Sequence, residues 1–367
     1  MLSPPWQAVA VLLECGKAAA PSLHGTHLAL ALAQQLSARI PAPRLLELTC
    51  GALASSAAHG IDGAAHGGVW GLARVLRLEH AALAMQSVDA SRDATTMSPS
   101  VLEGPATDQE VRWSGAAWLV ARLRMCAMAQ KHGCELPRGT FAIVGGLGGL
   151  GLRAAALLSE GGVAGLALSS RSGRAAEERL RSHSSAAVHV MSSDVADAAE
   201  ALCLLSRLPF AGVLHAAGVL RDKMLRTMTT ADVSSVFEPK ADAASLIHMA
   251  VARAPLDTMG CFSSIAAAFG NVGQANYVAA NGYLDALASS RQPHGLLSSS
   301  LQIPAVRGAG MGAVTFSKER LDAIGAISLE AFATCLSMSL AHARAARERT
   351  QAPLSGALPV SVSIPLL

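Results

Sequence analysis

At 367 residues, with 51% of them hydrophobic, the chain has material for two buried cores, so two domains are expected. A net charge of +3, with 15% charged and 4% aromatic residues, offers neither the basic field nor the stacking surface that nucleic-acid binding needs. There is no run of about 18 uncharged apolar residues with which to span a bilayer. The seven cysteines are odd in number and none stand at CxxC spacing, which predicts reduced thiols, no structural zinc and an intracellular setting.

In chain order, the apolar run Gln7 to Cys15 predicts a strand, and His24 to Ile40 a helix with Leu28, Leu32 and Leu36 on one stripe. A strand at Leu45 to Cys50, a helix at Gly67 to His80 and a strand at Ala84 to Asp89 continue the alternation. This half has only Gly16 directly after its first strand, too little for a phosphate-binding turn, and is expected to be a structural α/β unit over residues 1–135. A loop with Pro99 and Pro105 follows. Val111 to Cys126 is expected to form a hairpin, and the boundary is placed near Lys131 to Arg138.

Residues 136–350 read as a doubly wound parallel sheet. Strands are predicted at Phe141 to Val144, Leu166 to Ser169, Val188 to Ser192, Gly212 to His215, Cys261 to Ser263 and Ser299 to Ile303. Helices are predicted up to Glu160, at Ala175 to His183, around Lys240 to Arg253 and from Ala275. The tail, residues 351–367, has no assigned role.

The strand Phe141-Ala-Ile-Val144 runs directly into Gly145, Gly146, Leu147, Gly148, Gly149, Leu150 and Gly151, then into an Ala- and Leu-rich helix. Glycines in this order let the backbone turn sharply and approach a pyrophosphate, whose charge then faces the N–H groups of the helix N-terminus. The second strand ends in Ser170 and Arg171, where an NAD-specific fold carries an acidic residue for the ribose 2′-hydroxyl. A guanidinium there suits a 2′-phosphate, so NADPH is the expected cofactor. Asp194 and Val195, after the third strand, are candidates for the adenine edge, with a plain turn aspartate as the alternative. His24, His27, His59 and His66 have no Cys or carboxylate cluster beside them, so no metal is expected.

Tyrosine occurs twice, and Tyr277 stands thirteen residues after Ser264, a spacing that joins a strand end to a helix. A serine hydroxyl and a phenol so placed can converge on one carbonyl oxygen, the first polarising it and the second acting as general acid. A phenol of pKa about 10 needs a nearby cation to work near neutrality. Lys240 is the candidate.

These residues resemble the short-chain dehydrogenase/reductase superfamily and, within it, the ketoreductase domains of type I polyketide synthases. Ordinary members carry Tyr-x-x-x-Lys, with asparagine on the preceding helix. Here the two are exchanged, Asn281 following Tyr277 by four and Lys240 preceding Ser264 by 24. The resemblance implies Tyr277 as proton donor, Ser264 as carbonyl polariser, Lys240 as the charge that lowers the phenol pKa, and Asn281 as a relay or orienting group. It also places His215, Ala216, Ala217 and Gly218 along the cofactor, and matches Val69 to His80 to the Trp-Gly-Leu-x-Arg segment of a structural subdomain that binds none. The implied fold is therefore two Rossmann-like subdomains.

The implied reaction reduces a β-ketoacyl thioester carried on the phosphopantetheine arm of an acyl carrier protein, within a larger synthase. A fatty-acid synthase ketoreductase, or a non-reducing scaffold or epimerising domain, are the alternatives. Leu220-Arg221-Asp222 stands where one stereochemical class has Leu-Asp-Asp, and Phe269 where the other has tryptophan, so the resemblance implies that Asp222 steers the substrate to the B-type, D-configured alcohol, with a plain turn residue beside Arg221 as the alternative. Two departures are visible: Val144 replaces a threonine, and Gln302-Ile-Pro-Ala-Val306 replaces Asn-Trp-Gly-x-Trp. The resemblance places a lid over the substrate between Arg307 and Met338, which Gly308, Gly310 and Gly312 would let move, with a mobile loop of no gating role as the alternative.

Overall fold

The computed structural model describes residues 7–13, 19–53, 60–90, 107–113, 117–123, 138–174, 186–252 and 256–350, with the side chains of 342–350 set aside. The predicted helix at 175–183, the boundary at 131–137, Pro99, Pro105, Gly16, His59 and the tail lie outside these residues. The chain forms two compact units. One takes residues 1–124 together with 221–237 and 266–293, and the other takes 125–220, 238–265 and 294–367.

In the first unit, β1 (Ala8–Leu12), β2 (Arg44–Cys50), β3 (Gln86–Ala90) and β4 (Glu110–Trp113) are parallel and stand in sequence order, and β5 (Trp118–Leu119) closes the sheet antiparallel to β4. The expected hairpin is therefore present, but short. Strand order never reverses in this sheet, so it lacks the switch point at which a doubly wound sheet opens a crevice for a ligand. Leu48, Val88 and Val111 form its core against Trp113 and Trp118, whose rings lie 4.8 Å apart.

Helix α1 (Leu23–Ser37) starts where Ser22 Oγ accepts from Gly25 N–H, and α2 (Gly67–Glu79) buries one face through Val69, Leu72, Val75 and Leu76. Gly71 is required here: a Cβ would sit 2.5 Å from the Val278 carbonyl of the long helix that α2 crosses.

The second unit holds β6 (Thr140–Val144), β7 (Gly165–Ser170), β8 (Ala187–Ser192), β9 (Phe210–His215), β10 (Thr258–Ser264) and β11 (Ser298–Ile303), all parallel in the order β8-β7-β6-β9-β10-β11. This is the doubly wound order, with its switch point between β6 and β9. The central strands read as unbroken apolar runs because both faces are covered. Phe141, Ile143, Leu166, Leu168 and Leu214 are fully buried among Leu158, Phe332, Leu336 and Leu340.

Several short helices escape the sequence reading: α4 (Ala198–Ser206), α5 (Thr230–Phe237) and α7 (Ile265–Phe269). Each is under three turns, too short for helical periodicity to stand out. Helices α3 (Gly149–Glu160), α6 (Ala243–Val251), α8 (Ala275–Arg291), α9 (Gly310–Thr315), α10 (Lys318–Ala323) and α11 (Leu329–Thr350) complete the chain. Among the described residues no helix is long and apolar enough to cross a membrane.

Candidate active site

The glycine loop lies between β6 and α3, at the switch point of the second sheet. Gly145 has φ +75°, a conformation that favours glycine, and a Cβ there would lie 2.7 Å from the backbone nitrogen of Ala217. Gly145 and Gly146 both donate N–H to the Ser169 carbonyl, at 2.9 and 3.1 Å, which ties the loop to the end of β7. Gly148 is the N-cap of α3 and supplies no side-chain cap, so the first-turn N–H groups are left to an external acceptor. A Cβ at Gly148 would meet only the Gly145 carbonyl, at 3.3 Å, so this face of the loop is open. A dinucleotide pyrophosphate fits such a cradle.

Arg171 follows β7 and is exposed. Its carbonyl accepts from Ser192 Oγ at 2.8 Å, which holds the backbone while the guanidinium faces solvent. Ser170 Oγ accepts from Gly173 N–H at 3.2 Å. Asp194 is engaged in a local turn, accepting from Ala196 N–H at 3.1 Å, with Val195 buried beside it. Across the loop, Gly149 abuts Ala309: a Cβ on Gly149 would come within 2.8 Å of the Ala309 Cβ. The expected lid region thus begins against the N-terminus of α3. It is tethered by Arg307 Nε to Asp322 Oδ1 at 2.9 Å and closed by the Val306–Ile327 bridge, leaving Val314 at its tip 90% exposed.

Lys240 is the residue whose placement sequence could not anticipate. It sits in a π-helical turn, Glu238–Asp242, joining α5 to α6, a local widening that re-aims a side chain. The side chain is 2% exposed, and Nζ donates to the Phe262 carbonyl at 2.9 Å, two residues before Ser264 at the end of β10. It passes over Gly218, where a Cβ would lie 3.0 Å from Cε and 3.3 Å from Nζ. The glycine that ends His215-Ala-Ala-Gly218 is thus the gap through which the ammonium reaches the strand.

His215 holds the other side of the turn. It is fully buried and its Nε2 bonds the Lys240 carbonyl at 2.8 Å, so Nε2 carries the proton. Burial, reinforced by the Lys240 charge, lowers its pKa to about 3, so the ring is neutral in the working range.

In the first unit, Tyr277 lies in the opening turn of α8 and is 9% exposed. Asn281, one turn on and fully buried, donates Nδ2–H to the Tyr277 carbonyl at 2.8 Å. Asn276 was not singled out from sequence. It is wholly buried, its Oδ1 accepts from Tyr277 N–H at 2.8 Å, and its Nδ2 donates to the carbonyls of Arg221 at 2.9 Å and Asp232 at 3.1 Å. Asp222 Oδ2 accepts from Gln274 Nε2 at 3.0 Å, and Phe269 is 52% exposed. Tyr277 and Asn281 therefore belong to one unit, Lys240 and Ser264 to the other. Among the described residues no group of three or more His, Cys, Asp or Glu is placed to hold a metal.

Residues 139–308 match the family described as the KR domain. Polyketide synthase GfsE of Streptomyces halstedii is 34% identical over 310 residues, which is 79% of this chain and 8% of that protein. This chain thus spans under a tenth of that relative. Among solved structures, one described as an A1-type ketoreductase superposes with a TM-score of 0.77 at 30% identity, covering 86% of this chain and 70% of the other. A structure of A-type ketoreductases from a modular polyketide synthase gives the same score and identity, covering 86% and 69%.

Proposed function

Because this chain belongs to the ketoreductase domains of polyketide synthases, oxidoreductases of the short-chain dehydrogenase/reductase fold that bind a nicotinamide cofactor, we propose that it reduces a β-ketoacyl thioester to the β-hydroxyacyl thioester with NADPH. The thioester is carried on an acyl carrier protein within a multidomain synthase.

When bound, the cofactor supplies the hydride. The loop Gly145 to Gly151 would hold its pyrophosphate through the N–H groups of the first turn of α3, Ser170 and Arg171 would bind the 2′-phosphate, Asp194 and Val195 would border the adenine, and His215 to Gly218 would lie along it. Tyr277 gives its phenolic proton to the nascent alkoxide while Ser264 hydrogen-bonds the same oxygen. The Lys240 ammonium lowers the phenol pKa, and Asn281 orients the opening turn of α8 and relays the proton.

The observation that carries this reading is Lys240. Its π turn, the gap at Gly218 and the bonds to Phe262 and from His215 serve to hold a single buried ammonium beside the end of β10. A lysine of purely structural purpose gains little from burial at 2% exposure, since desolvating its charge is costly. Asp222, fixed by Gln274, is the steering residue, and the product is the D-configured alcohol. This class is read from the chain's own residues, not from the A-type relatives.

The test is oxidation of NADPH with a β-ketoacyl N-acetylcysteamine thioester, followed by chiral chromatography of the product. Wild type is expected to turn over, and Tyr277→Phe to lose about 10²- to 10⁴-fold in kcat. A wild type that binds NADPH but never oxidises it refutes the reductase reading in favour of a non-reducing domain. An L-alcohol refutes the role of Asp222 alone.

A further inference from the structure

Helix α2 ends in a carboxylate, Glu79. An acidic side chain in the last helical turn faces the negative end of the helix dipole and is disfavoured there unless other donors hold it. Two backbone donors do. Glu79 Oε1 accepts from Gly273 N–H at 2.9 Å, and Oε2 accepts from Leu225 N–H at 2.7 Å.

These donors belong to segments far apart in sequence that lie side by side within the first unit. Gly273 uses its other backbone group to accept from Lys223 N–H at 2.6 Å, Gln274 donates to Asp222, and Asn276 donates to the Arg221 carbonyl. Residues 221–225 and 271–276 are thus laced together immediately before Tyr277, and Glu79 bonds both. The same helix grips the approach to this lacing, because Arg74 donates to the Ala267 carbonyl and Leu78 lies against Gly270. Met224 and Val272 on these segments, at 39% and 52% exposure, and Phe269 just before the second, at 52%, expose apolar surface.

We propose that Glu79, in the half of the chain that has no glycine loop, is a positioning residue for the reaction: it clamps segment 221–225 to segment 271–276 and thereby fixes the two walls past which the acyl chain enters. The inference rests on the ketoreductase reading for its substrate, and on the two hydrogen bonds of Glu79 for its mechanism. A carboxylate is suited to the task because both its oxygens accept, so one group can hold two N–H donors on different segments. An amide cannot, since its NH2 would face a second donor.

Glu79→Gln in the full chain tests it. The expected result is a KM for the β-ketoacyl thioester raised about 10- to 100-fold, a smaller fall in kcat, and an eroded enantiomer ratio, as a misplacement of about 1 Å at the entry would cause. NADPH affinity, read by fluorescence, should stay within about two-fold, because the glycine loop belongs to the other unit. Glu79→Asp should recover part of the loss.

Asp89→Asn is the control for a merely structural effect. In the same unit Asp89 accepts from Ala52 N–H, Leu53 N–H and Thr49 Oγ1, and among the described residues none of these groups hydrogen-bonds to 221–225 or 271–276. It should lower the melting temperature and leave KM and the enantiomer ratio unchanged. Equal erosion in Asp89→Asn, or wild-type KM and enantiomer ratio in Glu79→Gln, overturns the inference. Amide hydrogen exchange separates this outcome from failure of the ketoreductase reading. Leu225 and Gly273 should exchange faster in Glu79→Gln whether or not the thioester is reduced, and unchanged exchange there overturns the clamp itself.

Discussion

Replacing Gly218 by alanine tests the placement of Lys240 without touching either its charge or the tyrosine. Gly218 has no left-handed φ, so alanine is compatible with the backbone, and the added Cβ meets only the end of the lysine side chain, at 3.0 Å from Cε and 3.3 Å from Nζ. Carbon atoms in ordinary contact stand about 3.5–4.0 Å apart. The lysine must therefore yield by a few tenths of an ångström, and the part that yields is the ammonium end, now 2.9 Å from the Phe262 carbonyl. A misplacement of about 1 Å at a reacting group costs up to about 10²-fold in rate, or about 2.7 kcal/mol of barrier. A shift of a few tenths of an ångström costs less, so stopped-flow NADPH oxidation at saturating thioester should show kcat reduced about 3- to 10-fold in Gly218→Ala. Its optimum should move to higher pH, because a more distant cation lowers the phenol pKa less. Melting temperature and NADPH affinity should scarcely change. Unchanged kcat refutes the argument that this gap positions the catalytic ammonium. A parallel collapse of stability shows instead that Gly218 serves packing.

Gly145→Ala should behave oppositely, since its Cβ would meet backbone atoms that cannot yield and its φ of +75° strains any side chain; a cofactor titration should show affinity lost together with stability. Arg171→Ala should cut the preference for NADPH over NADH about 10- to 100-fold with little change in kcat, as expected for loss of one charge-assisted contact. Two buried groups with displaced pKa values, His215 and Glu47, set opposite limits on stability. His215 titrates near 3 when folded against 6.5 when unfolded, so its contribution is complete above pH 6.5 and is lost as pH falls toward 3, at about 1.4 kcal/mol per pH unit inside that window. His215→Gln should flatten the acid limb of a melting-temperature profile. Glu47, buried in β2 with no hydrogen-bond partner for either oxygen among the described residues, is pushed up to about 8 from 4.5 by desolvation. Its contribution is present below pH 4.5 and is lost as pH rises toward 8, so Glu47→Gln should raise the melting temperature at pH 8 more than at pH 5.

Most of the second sheet was legible in the chain because its central strands are continuous apolar runs and its cofactor turn is made of glycines, both local signals. Strand β8 and the short helices carry weaker patterns, and α4 and α5 went unread. The proposed site was legible as residue types at spacings: Ser264 before Tyr277, Asn281 one helical turn after it, and Lys240 upstream on the preceding helical segment. The reasons those types can function were not. Gly218 reads as an ordinary turn glycine until Lys240 is seen crossing it. Asn276 and Gln274 read as polar helix starters until their amides are found on Arg221 and Asp222, some fifty residues away.

The sequence by itself determined the fold class and the glycine loop, and it nominated the four residues proposed for the reducing site, because each is read from one strand-turn-helix unit or from identities matched to a family pattern. Only the tertiary structure decided that a π turn aims Lys240, that neutral His215 braces it, and that a carboxylate at the end of α2 holds two segments beside Tyr277. Those arrangements join residues from 22 to 194 positions apart. Periodicity and spacing report only what neighbours in the chain do, whereas a buried charge or a two-armed acceptor is defined by the partners that folding brings to it.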